Sequence, residues 1–113
     1  MRVLITGIQG FVGSHLSRHL HSAGWEVFGF DLRAGVLGNN FFQGELTDRN
    51  TLKQVLDDVE PDVIFHLAGI IKSSQSEVLY KANFLGTIVL LDQLMASDRR
   101  PVVVVASSSA VYG

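Results

Sequence analysis

A glycine-rich turn close to the amino terminus constrains the fold of this chain more than any other feature. The apolar run Val3-Leu4-Ile5 leads into Thr6-Gly7-Ile8-Gln9-Gly10-Phe11-Val12-Gly13, and a helical pattern begins at Phe11. A buried-strand pattern followed by a glycine turn and an amphipathic helix is typical of the first half of a βαβ unit. The sequence therefore predicts that this segment begins a parallel sheet.

Strand and helix patterns alternate along the rest of the chain. The predicted strands are Arg2–Thr6, Glu26–Phe30, Phe41–Gln43, Val63–Leu67 and Val102–Ala106, and the predicted helices are Phe11–Ser22, a segment capped by Thr47 or Asp48 that ends near Asp58, and Val78–Ser97. Because the strands are continuous apolar runs, both of their faces should be covered by helices. We predict one α/β domain over residues 1–113, a doubly wound (Rossmann) parallel sheet of five strands in the order 3-2-1-4-5.

The last predicted strand differs from the others because no helical pattern comes after it. Val102–Val105 is nevertheless apolar on both faces. A complete sheet of this kind would cover such a strand further. We therefore expect the chain to be the truncated, amino-terminal part of a larger enzyme. The alternative is that contacts between subunits cover the open side.

Composition excludes several classes of function. The 113 residues carry a net charge of −2, without the basic face that nucleic-acid binding needs. There is no cysteine, which excludes disulfides and cysteine-based zinc sites. His15 and His19 have no third ligand beside them, so no metal site is expected. No apolar run approaches the roughly 20 residues that span a bilayer, and we expect a cytoplasmic domain.

The glycine turn has the spacing of a site for a dinucleotide pyrophosphate. Gly7 permits the tight bend after the strand, Gly10 lets the backbone approach the phosphates, and Gly13 lets the helix pack closely on the sheet. The N–H groups of Phe11 and Val12 lie at the start of the helix, where the helix dipole favours anions. The alternative is a glycine turn that serves packing alone, but an acidic residue at the end of the next strand favours binding.

Asp31 is that acidic residue. A carboxylate at the end of the second strand accepts hydrogen bonds from both hydroxyls of the adenosine ribose and repels a 2′-phosphate, so NAD is favoured over NADP. Leu32 and Arg33 follow it and are counted among the cofactor-binding residues. Arg33 would suit a phosphate, but we interpret it as a solvated charge in a loop.

Five motifs follow one another along the chain in a fixed order and spacing. They are Thr6–Gly13, Asp31, His66–Gly69, Asn83–Thr87 and Ser107–Gly113. Together they resemble the extended short-chain dehydrogenase/reductases, the group of nucleotide-sugar epimerases and dehydratases. The resemblance covers essentially the whole chain.

This resemblance implies further contacts with the cofactor. Glu45 and Leu46 stand where the family has an aspartate and an aliphatic residue beside the adenine, and the longer glutamate is a departure from that pattern. Asn83 would brace a loop or reach the cofactor. A short turn would pass under the middle of the cofactor: Leu67, Ala68 and Gly69.

Ser108 matches the family's catalytic serine or threonine, which hydrogen-bonds the sugar hydroxyl that is oxidised. Serines after a strand also cap turns, but their position at the carboxyl edge of a parallel sheet favours the catalytic interpretation. The family's dehydratases carry Asp-Glu after this residue, whereas this chain has Ser109 and Ala110, which cannot transfer those protons. Dehydration is therefore disfavoured, and epimerisation or reduction of a keto-sugar remains.

The family's Tyr-x-x-x-Lys pair is absent from these residues. Tyr80 is followed directly by Lys81, and no lysine lies four residues after Tyr80 or Tyr112. We predict the cofactor-binding part of an NAD-dependent nucleotide-sugar epimerase, inactive by itself, with a possible homodimer through the helix that carries Asn83. The alternatives are a keto-sugar reductase, a regulatory module that binds NAD(P) without catalysis, and a flavodoxin-type protein, in which Asp31 would have no role.

Overall fold

The computed structural model describes residues 1–8, 11–31, 40–67, 77–97 and 100–105, with the backbone alone for Phe11 and residues 77–84. Its strands are β1 (Arg2–Thr6), β2 (Glu26–Asp31), β3 (Phe41–Gln43), β4 (Val63–His66) and β5 (Val102–Val105), and its helices are α1 (Phe11–Ser22), α2 (Arg49–Val59) and α3 (Glu77–Met95). These are the strands and helices that the sequence predicts, with ends shifted by at most two residues.

The five strands form one parallel sheet in the order β3-β2-β1-β4-β5. The predicted fold class and strand order are confirmed. Because β1 stands in the centre, its residues pair with β2 on one side and with β4 on the other, from Val3 opposite Val27 and Val63 to Thr6 opposite Phe30 and His66.

Side chains of β1 alternate between two apolar layers, one on each face of the sheet. Leu4 points into a core shared with α2 and α3, which also contains Phe30, Leu52, Val55, Leu56, Val59, Ile64, Val89 and Leu90. Val3 and Ile5 point into the other core, together with Ile8, Leu20 and Leu67. All three apolar residues of β1 are 0% exposed. Burial of each such side chain stabilises the fold by about 1.5–3 kcal/mol.

The boundaries of α2 come from local hydrogen bonds, and the sequence predicts the one at the amino end. Asp48 precedes the helix and its carboxylate accepts from the backbone N–H of Thr51 at 3.2 Å and from the Thr51 hydroxyl at 2.9 Å. Both hydrogen bonds lower the pKa of Asp48, and the one from the Thr51 hydroxyl has the larger effect. Asp48, rather than Thr47, is therefore the N-cap. At the other end Glu60 adopts a left-handed conformation, with φ 49°, and its N–H donates to the carbonyl of Leu56 at 2.9 Å.

Helix α3 is apolar on more than one face. Val89 and Leu90 are buried in the core that α3 shares with α2, and Gly86 is buried against Leu46. A second apolar set on α3 is exposed: Leu85, Ile88, Leu91 and Met95. The sequence pattern does not separate this second face from the first.

Strand β5 contrasts with β1 although both are apolar runs. Val102, Val104 and Val105 are 62%, 41% and 54% exposed. The exposure agrees with the expectation that this strand needs further cover.

Candidate functional site

The carboxyl ends of β1, β2 and β4 meet at one edge of the sheet. Thr6 at the end of β1 lies between Phe30 of β2 and His66 of β4. The chain passes from β1 to β2 and β3 on one side, whereas β4 and β5 lie on the other side, so the strand order reverses between β1 and β4. In open α/β sheets this reversal forms a crevice in which ligands bind.

Gly7 makes the turn that leads from β1 to α1. Its N–H donates to the carbonyl of Phe30 at 2.7 Å, which extends the pairing with β2 by one residue. Its φ is 73°, in the left-handed region that favours glycine. A residue with a Cβ would be strained here by about 1–2 kcal/mol, so this bend needs glycine.

Gly13 lets α1 pack directly against the turn. A Cβ added at Gly13 would overlap the carbonyl oxygen of Gly7 and lie 2.8 Å from Cα of Ile8 and 2.9 Å from its carbonyl oxygen. These are backbone atoms, which cannot move aside without moving the strand or the helix. The structure therefore has the close helix-to-strand approach that the spacing predicts for Gly13, while its contact with a cofactor stays a prediction.

Gly29, in β2, is a further glycine that packs against the turn and that the sequence pattern does not single out. A Cβ there would lie 2.5 Å and 2.7 Å from side-chain carbons of Ile8. Ile8 is 2% exposed and fills the space beside Gly29, which fixes the turn against β2. The signal in the sequence, a glycine inside a strand, indicates a close approach but does not identify the partner.

The amino end of α1 lies beside the Gly7 turn and has no acidic side chain in its first turn. The first N–H groups of a helix have no partner within the helix, and the dipole makes this end positive. Phe11 begins the helix, and Val12 is 48% exposed beside it. A phosphate is favoured at such a place.

Polar side chains are buried at this edge and at no other place in the described residues. They are Thr6, His66 and Asp31, with exposures of 0%, 1% and 8%. Burying polar groups costs free energy unless hydrogen bonds compensate. Three of them at the end of neighbouring strands therefore mark this edge as the candidate site.

Asp31 ends β2 and stands beside the segment that follows β3. Asp31 pairs with Gln43 of β3, and the carbonyl of Asp31 accepts from the N–H of Gly44 at 3.0 Å. Glu45 and Leu46 therefore follow directly after the residue that is bonded to the backbone of Asp31. The sequence predicts that these three residues hold the adenosine, and that role stays a prediction.

Leu46 is held in place by α3. It is half-buried against the α2–α3 core, and a Cβ added at Gly86 would lie 2.7 Å from its Cβ. Glu45, by contrast, is exposed, and its carbonyl accepts from the N–H of Asp48 at 3.0 Å in the turn before α2. The contact between Gly86 and Leu46 joins two distant parts of the chain, so the sequence pattern could not reveal it.

A chain of hydrogen bonds joins β1, β4 and α3. Oγ1 of Thr6 lies 2.8 Å from Nδ1 of His66, and Nε2 of His66 lies 2.8 Å from Oγ1 of Thr87. The N–H of Leu67 donates to the Thr6 hydroxyl and to its carbonyl, each at 3.1 Å. Burial lowers the pKa of His66, so its ring is neutral at pH 7.

Several predicted site residues lie outside the described residues: Gly10, Leu32, Arg33, Ala68, Gly69 and Ser108. The same holds for the side chains of Phe11 and Asn83, whose backbones belong to α1 and α3. Leu67 is 7% exposed, and its side chain packs into the core beneath α1. The roles assigned to all of these residues stay predictions.

Other features of the described part of the chain do not compete with this site. A cavity of about 140 Å³ lies between the ends of α2 and α3 and the residue before β5, Pro101, at the opposite edge of the sheet. Within the described ranges no group of three histidine, cysteine, aspartate or glutamate residues could hold a metal ion. No described helix is long and apolar enough to cross a membrane.

Comparison with known proteins gives relatives over the whole chain. UDP-glucuronate 4-epimerase 6 of Arabidopsis thaliana is 34% identical over 134 residues, which covers 100% of this chain and 29% of the relative. A short-chain dehydrogenase/reductase superfamily protein from Agrobacterium tumefaciens, solved with bound NAD, superposes with a TM-score of 0.79 at 33% identity, over 99% of this chain and 34% of that one. The chain thus spans about a third of the length of these relatives.

A more distant structure confirms the fold. UDP-glucose 4-epimerase from Bifidobacterium longum, in complex with NAD+ and UDP, is 23% identical and has a TM-score of 0.86, over 100% of this chain and 38% of that one. The model of a family described as NAD dependent epimerase/dehydratase matches residues 3–113. The family suggested by the five motifs is confirmed. NAD is the cofactor that the description of this family gives. This chain belongs to the NAD dependent epimerase/dehydratase family.

Proposed function

We propose that the chain is the NAD-binding part of an enzyme that epimerises a nucleotide sugar through a transient keto-sugar. The observation that carries the proposal is the juxtaposition of a buried Asp31 with the turn at Gly7, against which α1 packs without space for a Cβ at Gly13. The UDP-sugar 4-epimerases among the relatives support the choice of substrate class.

The residues of the crevice fit a dinucleotide. The space at Gly13 is closed by backbone, so the N–H groups at the start of α1 stand directly beside the Gly7 turn and suit a diphosphate. Asp31 suits the ribose diol next to it, and a 2′-phosphate would meet a buried carboxylate. This arrangement favours NAD over NADP.

The proposed chemistry divides into what the cofactor supplies and what the chain supplies. When bound, NAD would supply reversible hydride transfer at a sugar carbon, which would allow inversion at that carbon without net oxidation. Ser108 hydrogen-bonds the hydroxyl on that carbon and orients its proton toward a base. We assign neither the base nor the lysine that would lower its pKa to these 113 residues, since they contain no Tyr-x-x-x-Lys.

A binding experiment tests the cofactor assignment. We expect calorimetry to show that Asp31→Asn lowers the affinity for NAD by about ten-fold or more, because the lost charge-assisted hydrogen bonds contribute about 1.5–3 kcal/mol each. The affinity for NADP should stay unchanged or rise. Asp57→Asn is the matched control, because Asp57 pairs with Lys53 on the exposed side of α2, away from the crevice. Equal affinities of wild type and Asp31→Asn for NAD would contradict the proposal.

The reaction type is tested with a UDP-sugar and the complete enzyme. An epimerase converts the sugar into its isomer without net consumption of NADH. A keto-sugar reductase, the alternative, consumes one reduced cofactor for each sugar. The 113 residues alone should show neither activity, and turnover by them would contradict the assignment of the base to other residues.

We also propose that two copies pair through α3. The exposed apolar set at Leu85, Ile88, Leu91 and Met95 supports this, because large apolar surfaces on one helix mark contact sites. Light scattering should give twice the mass of one chain for the wild type. Ile88→Glu should give the mass of a single chain, and an unchanged mass would contradict pairing through this face.

A further inference from the structure

His66 is a buried titratable residue that the proposed chemistry does not use. Both of its ring nitrogens are within 2.8 Å of a threonine hydroxyl, one on β1 and one on α3. Both nitrogens are hydrogen-bonded and His66 is 1% exposed, so the ring is not placed to take a proton from a substrate. The role of His66 must therefore follow from the elements that it joins.

Both nitrogens of this ring are hydrogen-bonded. The Thr6 hydroxyl accepts from the N–H of Leu67 and is hydrogen-bonded to Nδ1 of His66. Nε2 is hydrogen-bonded to the hydroxyl of Thr87, and a neutral ring donates from one nitrogen and accepts at the other. The ring thus joins the end of β1 to α3 through two hydrogen bonds.

The neighbour of Thr87 on α3 connects the same turn to the adenosine side of the crevice. Gly86 lies so close to Leu46 that an added Cβ would stand 2.7 Å from the Cβ of Leu46. One turn of α3 is therefore hydrogen-bonded to His66 and supports the segment that follows β3. A shift of this turn would move Leu46 relative to Asp31.

We infer that His66 is a positioning residue for the nucleotide: the hydrogen bond between its Nε2 and Thr87 sets where α3 lies on the sheet and thereby where Leu46 stands in the crevice. The inference rests on the proposed NAD site. It adds a residue that acts on the cofactor through α3, without touching the cofactor.

Four variants separate the two ends of the ring. His66→Asn places an amide near the Nδ1 position and keeps a partner for Thr6, whereas His66→Gln places an amide near the Nε2 position and keeps a partner for Thr87, because an amide can both donate and accept. Thr87→Val keeps the branched shape and removes the hydroxyl that is bonded to Nε2, and Thr87→Ser keeps the hydroxyl. NAD affinity of each variant is measured by calorimetry on the whole protein, together with its melting temperature.

The expected result is a loss of NAD affinity of about five-fold or more in Thr87→Val and His66→Asn, the size of a weak coupling between two sites. Thr87→Ser and His66→Gln should bind NAD within about two-fold of wild type, since each restores the bond to α3. The double variant His66→Asn/Thr87→Val should lose no more affinity than either single variant, because both remove the same bond.

A control excludes a mere loss of stability. Val59→Ala opens a cavity in the α2–α3 core, where Val59 is 0% exposed at the end of α2 far from the crevice. It should lower the melting temperature and leave NAD affinity unchanged. Equal affinities of wild type and Thr87→Val, or an equal loss in Val59→Ala, would overturn the inference alone. A wild-type protein that binds no NAD would overturn the proposed function and this inference with it.

Discussion

The two ends of the same parallel strands differ in how far their polar side chains are buried. At the carboxyl ends, Thr6 and His66 are buried and joined by a hydrogen bond of 2.8 Å. At the amino ends, Arg2 forms exposed ion pairs with Glu26 at 3.4 Å and Glu60 at 3.8 Å. Exposed pairs of this kind contribute about 0–1 kcal/mol, whereas leaving a buried polar group unpaired costs about 1–3 kcal/mol. One edge of the sheet should therefore tolerate substitution, and the other should not.

The same contrast applies to glycines. Gly13, at the carboxyl edge, is enclosed by backbone atoms of Gly7 and Ile8. Gly24, in the turn between α1 and β2, has a φ of 92° but no heavy atom within 4 Å of an added Cβ. Gly13 is needed for space, and Gly24 is needed for its backbone conformation alone.

The largest effect is expected for Gly13→Ala. Its Cβ would push α1 away from the turn, which we expect to destabilise the fold by about 2–3 kcal/mol and to lower NAD affinity by at least about a hundred-fold, because the phosphate site is displaced. Chemical denaturation and calorimetry measure the two effects.

Gly24→Ala is the matched control for that variant. It should cost about 1–2 kcal/mol through backbone strain alone, with NAD affinity unchanged. If Gly13→Ala bound NAD like the wild type, the close packing of α1 would have no part in the site, and the difference between the two glycines would be one of stability only.

The sequence predicts the carboxyl edge better than the contacts that support it. The turn from Gly7 to Gly13 and the acid at Asp31 are local patterns, and strand order follows from the rules of βαβ connection. The contacts between Gly86 and Leu46 and between His66 and Thr87 depend on how α3 is rotated about its axis.

That rotation is not encoded clearly in the sequence of α3. Its apolar residues are spread around the helix, so that both the buried Leu90 and the exposed Leu91 fit an apolar pattern. Strand β5 is similarly ambiguous. Its four valines are the pattern of a central strand, but Val102 is 62% exposed. An apolar run predicts that a segment can be buried, and only the neighbouring elements decide whether it is.

A smaller effect is expected on the pH dependence of the free energy of unfolding, and it comes from His66 at the carboxyl edge. Burial lowers the pKa of His66 below its usual value of 6.5, so the unfolded chain binds a proton at a pH where the folded protein does not. The free energy of unfolding should then be constant above about pH 7 and should fall as the pH drops through 6.5 toward the lower folded pKa, by at most about 1.4 kcal/mol per pH unit for one group.

His66→Gln should remove this slope. The histidines of α1, His15, His19 and His21, are exposed and remain in both proteins, so their contribution cancels in the difference. The carboxylate of Asp48, whose pKa is lowered by its bonds to Thr51, acts in the same direction but only below about pH 4, near its usual pKa of 3.8. Identical profiles for wild type and His66→Gln between pH 7 and about pH 5 would show that the pKa of His66 is not lowered by folding.

The smallest effect is expected at the amino edge, for Arg2→Met. Methionine keeps much of the apolar stem and removes the exposed pairs with Glu26 and Glu60 as well as a hydrogen bond from Nη1 to the carbonyl of Val59 at 3.1 Å. We expect a loss of at most about 1 kcal/mol in the free energy of unfolding, smaller still at about 1 M salt because the pairs are screened. NAD affinity should not change, since no described contact of Arg2 reaches the crevice. A change of more than about two-fold in that affinity would mean that strain passes along the strands from one edge to the other, as close-packed interiors allow, and the two edges could then no longer be treated as independent.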